Sequence, residues 1–125
     1  MGGLPRPPKP TTLRWRDYET ASGNRPVKQF LMGLTSDDRA EVVAAMEEVA
    51  DEGLEAARHL RGRIYEVRAS GENRIYRVLF AQETKFILLS LEAFSKTTQR
   101  TPPDRIEIAE KRLADWRARA KKPDK

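Results

Sequence analysis

The amino-acid sequence predicts an α+β fold, with helices packed on one face of a small antiparallel sheet. Two hydrophobic periods lead to this prediction. Apolar residues recur every three or four positions between residues 26 and 53 and again after residue 101, which is typical of helices with one buried face. Between residues 64 and 94 the period is two, in three successive runs, as in a meander of strands. The predicted order is therefore one strand, two helices, a three-strand meander and a C-terminal helix.

The segment before the meander predicts a strand and two helices. Residues 13–19 alternate in polarity and fit a short strand. A short helix begins at Pro26, and its apolar face consists of Val27, Phe30, Leu31 and Leu34. Thr35 and Asp38 resemble a capping box with Asp in place of Glu, so a second helix is expected to begin there and to end at Gly53.

The meander and the last helix complete the predicted fold. Strands are expected over residues 64–70, 74–81 and 85–94, and the third, mostly apolar strand should be central. Thr101 is the predicted capping residue of the C-terminal helix, because two prolines and an acidic residue follow it. The apolar stripe of that helix consists of Ile106, Ala109, Leu113 and Trp116.

We expect one domain with an unstructured segment at each end. A chain of 125 residues can bury roughly two thirds of its unfolded surface without metals or disulfides. Residues 1–12 are expected to be a disordered proline-rich arm, because four prolines remove backbone donors and fix φ. Residues 13–119 form the predicted domain, and residues 120–125 are a basic tail that we expect to fray.

The composition excludes several classes of function. The chain has no cysteine, which excludes disulfides, thiolate metal sites and a cysteine nucleophile. It has one histidine, no Gly-rich phosphate loop, no set of metal-spaced ligands and no Gly-x-Ser-x-Gly motif, so we expect no metal and no cofactor. No apolar run approaches the length of a membrane span, and a signal peptide is not recognisable. We therefore expect a cytoplasmic protein with no membrane partner.

The basic charge is local rather than uniform. Residues 19–57 carry three basic and nine acidic side chains, a net charge of −6, whereas residues 58–77 carry six and two, a net charge of +4. Residues 95–125 add ten basic and five acidic side chains, a net charge of +5. Two basic stretches that meet in space would form a surface for phosphates, although solubilising charge is the simpler interpretation.

A pair of arginines is the first candidate for a site. Arg68 and Arg77 lie on adjacent predicted strands, on the face expected to point away from the helices, and a tight hairpin would place them close together. Two neighbouring arginines repel each other, a cost that is tolerated when a phosphate binds between them. The alternative is an ion pair, in which Glu66 or Glu92 neutralises them.

The segment from Phe94 to Pro102 is the second candidate. It connects the third strand of the meander to the last helix and carries Lys96 and Arg100 among several hydroxyl groups, at a sheet edge. Loops on rigid elements are common sites of function, but an ordinary polar connection is equally compatible with this composition.

These stretches together resemble a known family. They are Arg61-Gly-Arg-Ile-Tyr-Glu-Val-Arg68, Tyr76-Arg-Val-Leu-Phe80 and Leu91-Glu-Ala-Phe-Ser-Lys-Thr-Thr-Gln-Arg-Thr-Pro102. The order resembles the HigB branch of the RelE/ParE toxins, phage-derived toxins included, and covers roughly residues 60–116. The family often has a lysine where this chain has Thr97 and a histidine where it has Glu92.

The resemblance implies a RelE-like fold and a type II toxin that cleaves messenger RNA, usually in the ribosomal A site. Such a toxin is silenced by a cognate antitoxin, which is expected to be of the helix-turn-helix type. The neighbouring 2′-OH of the RNA would attack the phosphate, so that the protein aligns the reactants, assists proton transfer and stabilises charge.

Roles for individual residues follow from this resemblance. Arg68 and Arg77 would clamp the phosphate, and Lys96 would stabilise the leaving oxygen or donate a proton to it. Glu66 or Glu92 would accept the proton of the 2′-OH. The residues expected to hold RNA electrostatically are Arg61, Arg63, Arg74 and Arg100.

Two other functions remain open at the level of the sequence. ParE-like relatives keep the fold but inhibit DNA gyrase by protein contact and lack the catalytic basic set. A non-catalytic nucleic-acid-binding phage protein would keep the basic surface without cleavage.

Overall fold

The computed structural model describes residues 12–96 and 100–120, except for the side chain of Lys96. The strands in this part of the chain are β1 (Arg14–Asp17), β2 (Arg58–Arg61), β3 (Ile64–Ser70), β4 (Ile75–Gln82) and β5 (Ile87–Lys96). The helices are α1 (Pro26–Met32), α2 (Ser36–Glu52) and α3 (Pro103–Ala120), with a short 3₁₀ turn at Leu54–Ala56. The predicted α+β fold and the predicted order are confirmed, and β2 is an additional strand that the sequence analysis missed.

The sheet has the strand order β1-β5-β4-β3-β2. Strands β2 to β5 pair in antiparallel fashion, which confirms the predicted meander and extends it by one strand. Strand β1 pairs in parallel with β5, because α1 and α2 carry the chain away from β1 before it re-enters the sheet at the far edge. With β1 and β2 at the edges, β3, β4 and β5 lie in the interior of the sheet.

The helices cover both faces of the sheet, so the prediction of helices on one face is wrong. On one face, α1 and α2 pack against a core that includes Val67, Val78 and Phe80. On the other, α3 packs against Leu79 and Leu91. The physical reason is that β3, β4 and β5 carry apolar side chains on both faces, and each apolar face must be buried against another element.

The ends of α2 show why this helix forms where it does. The Thr35 hydroxyl accepts a hydrogen bond from the backbone N–H of Asp38 at 3.2 Å, as predicted for the capping residue. The carboxylate of Asp38 does not complete a capping box, since it accepts hydrogen bonds from the Tyr76 phenol and the Glu72 backbone N–H instead. Gly53 ends the helix with φ of 87°, a left-handed conformation that favours glycine.

The chain ends bear on two predictions. Residues 1–11 of the predicted arm and residues 121–125 of the predicted tail lie outside the described residues, and their expected disorder remains a prediction. Residue 120 is the last residue of α3. In the described residues, no helix combines the length and apolar character needed to cross a membrane.

Candidate nucleic-acid interface

The hairpin of β3 and β4 places two arginines side by side. Arg68 is the direct cross-strand partner of Arg77, so the predicted juxtaposition is confirmed. Arg68 lies four positions from Ile64 and Arg77 two positions from Leu79, so each shares a face with that residue. Both arginines therefore lie on the α3 face, not on a face turned away from the helices as predicted. The Arg77 side chain is fully buried, whereas that of Arg68 is 25% exposed, so only Arg68 reaches solvent.

A buried carboxylate lies between these arginines. Glu66 has a fully buried side chain, and its Oε1 accepts a hydrogen bond from Arg68 Nε at 2.6 Å. Its Oε2 accepts a short hydrogen bond from the Thr101 hydroxyl and lies 3.9 Å from Arg77 Nη1. Arg77 Nη1 in turn donates to Thr101 Oγ1 at 3.2 Å. The four side chains form one network, which we call the Glu66 network: Glu66, Arg68, Arg77 and Thr101.

The electrostatics of the Glu66 network are set by crowded positive charge. Burial holds the pKa of Arg77 below its ordinary value, and the nearby cations Arg68 and Arg58 act in the same direction while Glu66 opposes them. Arg58 is the direct cross-strand partner of Glu66 on β2. One carboxylate thus faces three guanidinium groups, and this excess of positive charge favours binding of an anion.

Thr101 has a different role from the one predicted. Helix α3 begins at Pro103, and its first-turn amide groups of Arg105 and Ile106 donate to the Pro102 carbonyl. The prediction that Thr101 caps this helix is therefore wrong. Its hydroxyl is used instead by the Glu66 network, because the chain entering α3 runs directly over the sheet at this point.

An open cleft of about 300 Å³ adjoins the Glu66 network. Its described lining consists of Arg58, Leu60, Arg100, Thr101 and Ile106. Arg58 and Arg100 are exposed at its rim, whereas Thr101 and Ile106 are buried at its base. We call this feature the β2–α3 cleft. It brings the predicted RNA-binding residue Arg100 to the same place as the arginine pair.

Arg58 and Thr101 are the members of this site that sequence reasoning missed. Arg58 was overlooked because β2 is only four residues long and was not predicted. The available signal was the Arg61-Gly62-Arg63 turn, in which Gly62 has a positive φ of 54° and returns the chain from β2 to β3.

Glu92 does not join the Glu66 network. It lies on β5 opposite Leu79, which in turn pairs with Glu66, so the two glutamates are separated by the width of β4, roughly 10 Å. Glu92 accepts hydrogen bonds from two arginines of α3, Arg105 at 2.8 Å and Arg112 at 3.1 Å. Both of its carboxylate oxygens are thus engaged in fixing α3 to the sheet.

The remaining predicted residues lie at the two ends of the hairpin. Arg74 is exposed and donates to Ser95 Oγ at 3.3 Å, near the end where Lys96 pairs through its backbone with Ile75. The side chain of Lys96 lies outside the described residues, so its predicted role stays a prediction. Arg63 lies at the opposite end, where it lines a separate open cleft of about 390 Å³.

Arg61 is engaged in an ion pair. Its guanidinium donates to both carboxylate oxygens of Glu110 on α3, at 3.1 and 2.8 Å. These hydrogen bonds raise the pKa of Arg61 and lower the pKa of Glu110. Arg61 is therefore partly neutralised. In the described residues, no group of three or more His, Asp or Glu side chains is placed to hold a metal ion.

Helices on a small, mostly antiparallel sheet, with basic residues gathered where α3 begins, define a protein of the RelE-like class. Residues 29–114 match the family described as Phage derived protein Gp49-like (DUF891). The chain is also 31% identical over 115 residues to the Probable endoribonuclease HigB1 of Mycobacterium tuberculosis, in the strains CDC 1551 / Oshkosh and ATCC 25618 / H37Rv. Each alignment covers 89% of this chain and 91% of the relative. The chain belongs to the Gp49-like family, and its predicted membership of the HigB-like family is confirmed.

Proposed function

We propose that this protein is the toxin of a type II toxin-antitoxin system and acts as an endoribonuclease on translated messenger RNA. The observation that supports the proposal is the Glu66 network, in which a cross-strand arginine pair surrounds a buried carboxylate and opens to solvent at Arg68. The relatives named Probable endoribonuclease HigB1 support the reaction class. In this proposal the RNA is bound on the ribosome, and the protein acts in the cytoplasm.

The phosphate would bind where the network opens. Arg68 is partly exposed, and Arg58 and Arg100 stand at the rim of the adjoining β2–α3 cleft. Guanidinium groups present several N–H donors in a fixed plane, which suits bidentate binding of phosphate oxygens. The buried Arg77 acts from beneath: it holds the Thr101 hydroxyl and neutralises part of the charge on Glu66.

The reaction needs a path for one proton at the attacking oxygen. Thr101 lines the cleft and donates to Glu66, so it connects the surface to the buried carboxylate. The 2′-OH would give its proton to Thr101 Oγ1 while the hydroxyl proton of Thr101 moves to Glu66 Oε2. Glu66 is favoured over Glu92 for this step, because Thr101 connects Glu66 to the cleft, whereas Glu92 lies on the far side of β4 and binds Arg105 and Arg112 of α3.

The bond changes then balance without a cofactor. The 2′-oxygen forms a bond to phosphorus, the bond from phosphorus to the 5′-oxygen breaks, and a 2′,3′-cyclic phosphate and a 5′-hydroxyl result. Lys96, at the end of β5, is proposed to donate the proton that the leaving 5′-oxygen takes up. The arginines stabilise the additional negative charge of the transition state.

The partners are part of the same proposal. The messenger RNA and the ribosome are the targets, and a cognate antitoxin, proposed to be a small helix-turn-helix protein, silences the toxin. Arg63 and Arg74 lie at opposite ends of the hairpin, and Arg61 lies beside α3. Their separation suits electrostatic binding of an extended RNA backbone rather than contact with one phosphate.

The proposal is tested by inducible expression in bacterial cells, with growth and transcript 5′ ends as readouts. We expect growth arrest and new 5′ ends inside translated messages, and Arg68→Ala should relieve both. Arg25→Ala is the matched control, because Arg25 pairs with Asp17 and lies outside the Glu66 network. Arrest with intact transcripts and an induced DNA-damage response would contradict the proposal and indicate gyrase inhibition.

A further inference from the structure

The β2–α3 cleft combines features that a phosphate alone does not require. Leu60 is half-buried, Ile106 is 9% exposed, and together they give the cleft an apolar wall and base. The exposed guanidinium groups of Arg58 and Arg100 stand over this apolar surface. No acidic side chain is among the described residues that line it. The arginines attract an anion, but the apolar wall and base are not needed for one and fit a flat ring with polar edges.

We propose that this cleft binds the nucleobase of the nucleotide whose 2′-OH attacks. This inference rests on the proposed function, since it places the scissile phosphate at Arg68. Apolar side chains and guanidinium planes are surfaces on which unpaired bases stack, and arginine N–H groups donate to acceptors on the base edge.

The position of the cleft agrees with the geometry of one nucleotide. Arg58 lines the cleft and is the cross-strand partner of Glu66, which binds Arg68. The cleft therefore adjoins the position proposed for the phosphate. Thr101 belongs to both, because it lines the cleft and donates to Glu66. A base against Leu60 and Ile106 would thus leave its ribose beside Thr101 and its 3′-phosphate beside Arg68.

The cleft is large enough for a single base. Its volume of about 300 Å³ is at the lower end of the range for small-molecule pockets, roughly 300–1,000 Å³. We expect the base before the scissile phosphate to be unpaired when it binds, because proteins that stack bases on their side chains take them from single-stranded RNA.

The test compares ligands that differ only in the base. The full chain, with labelled Leu, Ile and Thr methyl groups, is titrated in an NMR experiment with each nucleoside 3′-monophosphate and with ribose 3-phosphate. We expect at least one nucleotide to bind about tenfold more tightly than ribose 3-phosphate. Its binding should shift the methyl signals of Leu60 and Ile106, whereas ribose 3-phosphate should shift that of Thr101 without this selectivity.

A variant at Leu60 tests whether this residue contacts the base. Leu60→Ala should remove most of the base-dependent gain and leave the affinity for ribose 3-phosphate within about twofold. Leu54→Ala is the matched control, because Leu54 is also half-buried but lines the separate cleft that contains Arg63. The comparison of ligands on the unaltered chain needs no variant and stands even if Leu60→Ala fails to fold.

The outcomes separate this inference from the proposed function. Equal affinity for all ligands, with shifts at Thr101, would overturn the base site and leave the phosphate site intact. Base-dependent binding that shifts Leu54 instead of Leu60 would also overturn it. Absence of any shift at Thr101 would contradict the phosphate position, and with it both proposals.

Discussion

Thr101 joins the start of α3 to the sheet through two hydrogen bonds, one as acceptor and one as donor. It accepts from Arg77 and donates to Glu66, and both of these partners are fully buried. A valine at this position would keep the shape but leave both buried groups without this contact. The role of Thr101 in proton transfer therefore has to be separated from its role in stability.

Substitution of Thr101 by Val and by Ser makes this separation. Thr101→Val should lower the rate of RNA cleavage on the order of 100-fold, because general acid–base catalysis typically contributes at least this factor. Thr101→Ser keeps the hydroxyl and should recover most of the rate. Single-turnover cleavage with isolated ribosomes is the measurement, and the free energy of unfolding of each variant is measured alongside.

The dependence of the cleavage rate on pH distinguishes a role of Thr101 in proton transfer from a purely structural role. A purely structural role predicts that Thr101→Ser and Thr101→Val differ only in stability and share one profile of cleavage rate against pH. If Thr101 relays the proton to the general base, the acidic limb of the profile, which reports a general base, should change shape in Thr101→Val and return in Thr101→Ser.

The hydrogen bond between Tyr76 and Asp38 influences the protonation of the Tyr76 phenol. The phenol donates to Asp38 Oδ2 at 2.5 Å, and this hydrogen bond, together with burial, raises the pKa of Tyr76 above its ordinary value of 10.0. A raised pKa means that the protonated phenol is favoured in the folded state. Its contribution to stability is full below pH 10 or so and is lost as the pH rises through the folded-state pKa.

Tyr76→Phe should therefore have a pH-dependent cost. At neutral pH the variant should lose about 1 kcal/mol, the net value of one hydrogen bond. The difference from the unaltered chain should narrow as the pH rises above about 10. Urea unfolding across this range is the measurement, and a difference that stays constant with pH would show that Asp38 does not hold the phenol in its protonated form.

At the scale of elements, the β3–β4 hairpin is fixed to α2 at Gly71. A Cβ at this position would lie 2.4 Å from the ring of Tyr76 and 2.9 Å from Asp38 Oδ2. Gly71→Ala should destabilise the protein by about 1–3 kcal/mol, as overpacking in a rigid site does. Gly33→Ala is the matched control, because the added Cβ would meet only ordinary contacts at 3.5 and 3.7 Å. Thermal unfolding of both variants decides the point, and equal midpoints would contradict the tight fit.

Helix α3 is fixed to the sheet by ion pairs of unequal burial. The Glu92 side chain is 8% exposed and binds both Arg105 and Arg112, whereas the Glu110 side chain is 40% exposed and binds Arg61. Glu92→Gln should cost about 1–3 kcal/mol of unfolding free energy, because two guanidinium groups lose a buried anion. Glu110→Gln should cost less than about 1 kcal/mol. Similar losses for the two variants in urea unfolding would be evidence against a special role of Glu92.

At the scale of the whole molecule, most elements of the fold could be predicted from the sequence. Which helix covers which face of the sheet could not. The alternation in the meander predicts β3, β4 and β5, and the short hairpin predicts that Arg68 faces Arg77. Because the interior strands are apolar on both faces, periodicity does not say which helix covers which face. The burial of Arg77 depends on Thr101, which is 24 positions away in the chain.

The acidic and the basic segments of the chain lie on opposite faces of the sheet. The segment 19–57, with a net charge of −6, forms α1 and α2 on one face. The segment 58–77, with a net charge of +4, supplies Arg58, Arg68 and Arg77 to the other. A polyanion should thus approach from the β2 and α3 side and be repelled from α2.

The salt dependence of RNA binding measures this directly. With fully 2′-O-methylated RNA, which has no attacking hydroxyl, log Kd should rise linearly with log salt concentration. If Arg100 contacts one phosphate, Arg100→Ala should reduce the slope by about 0.7, the value for one contact to a single strand. Arg117→Ala is the control, because Arg117 binds Glu83 through three hydrogen bonds and lies outside the β2–α3 cleft. An unchanged slope for Arg100→Ala, or an equal reduction for Arg117→Ala, would show that binding follows total charge and not the surface beside the Glu66 network.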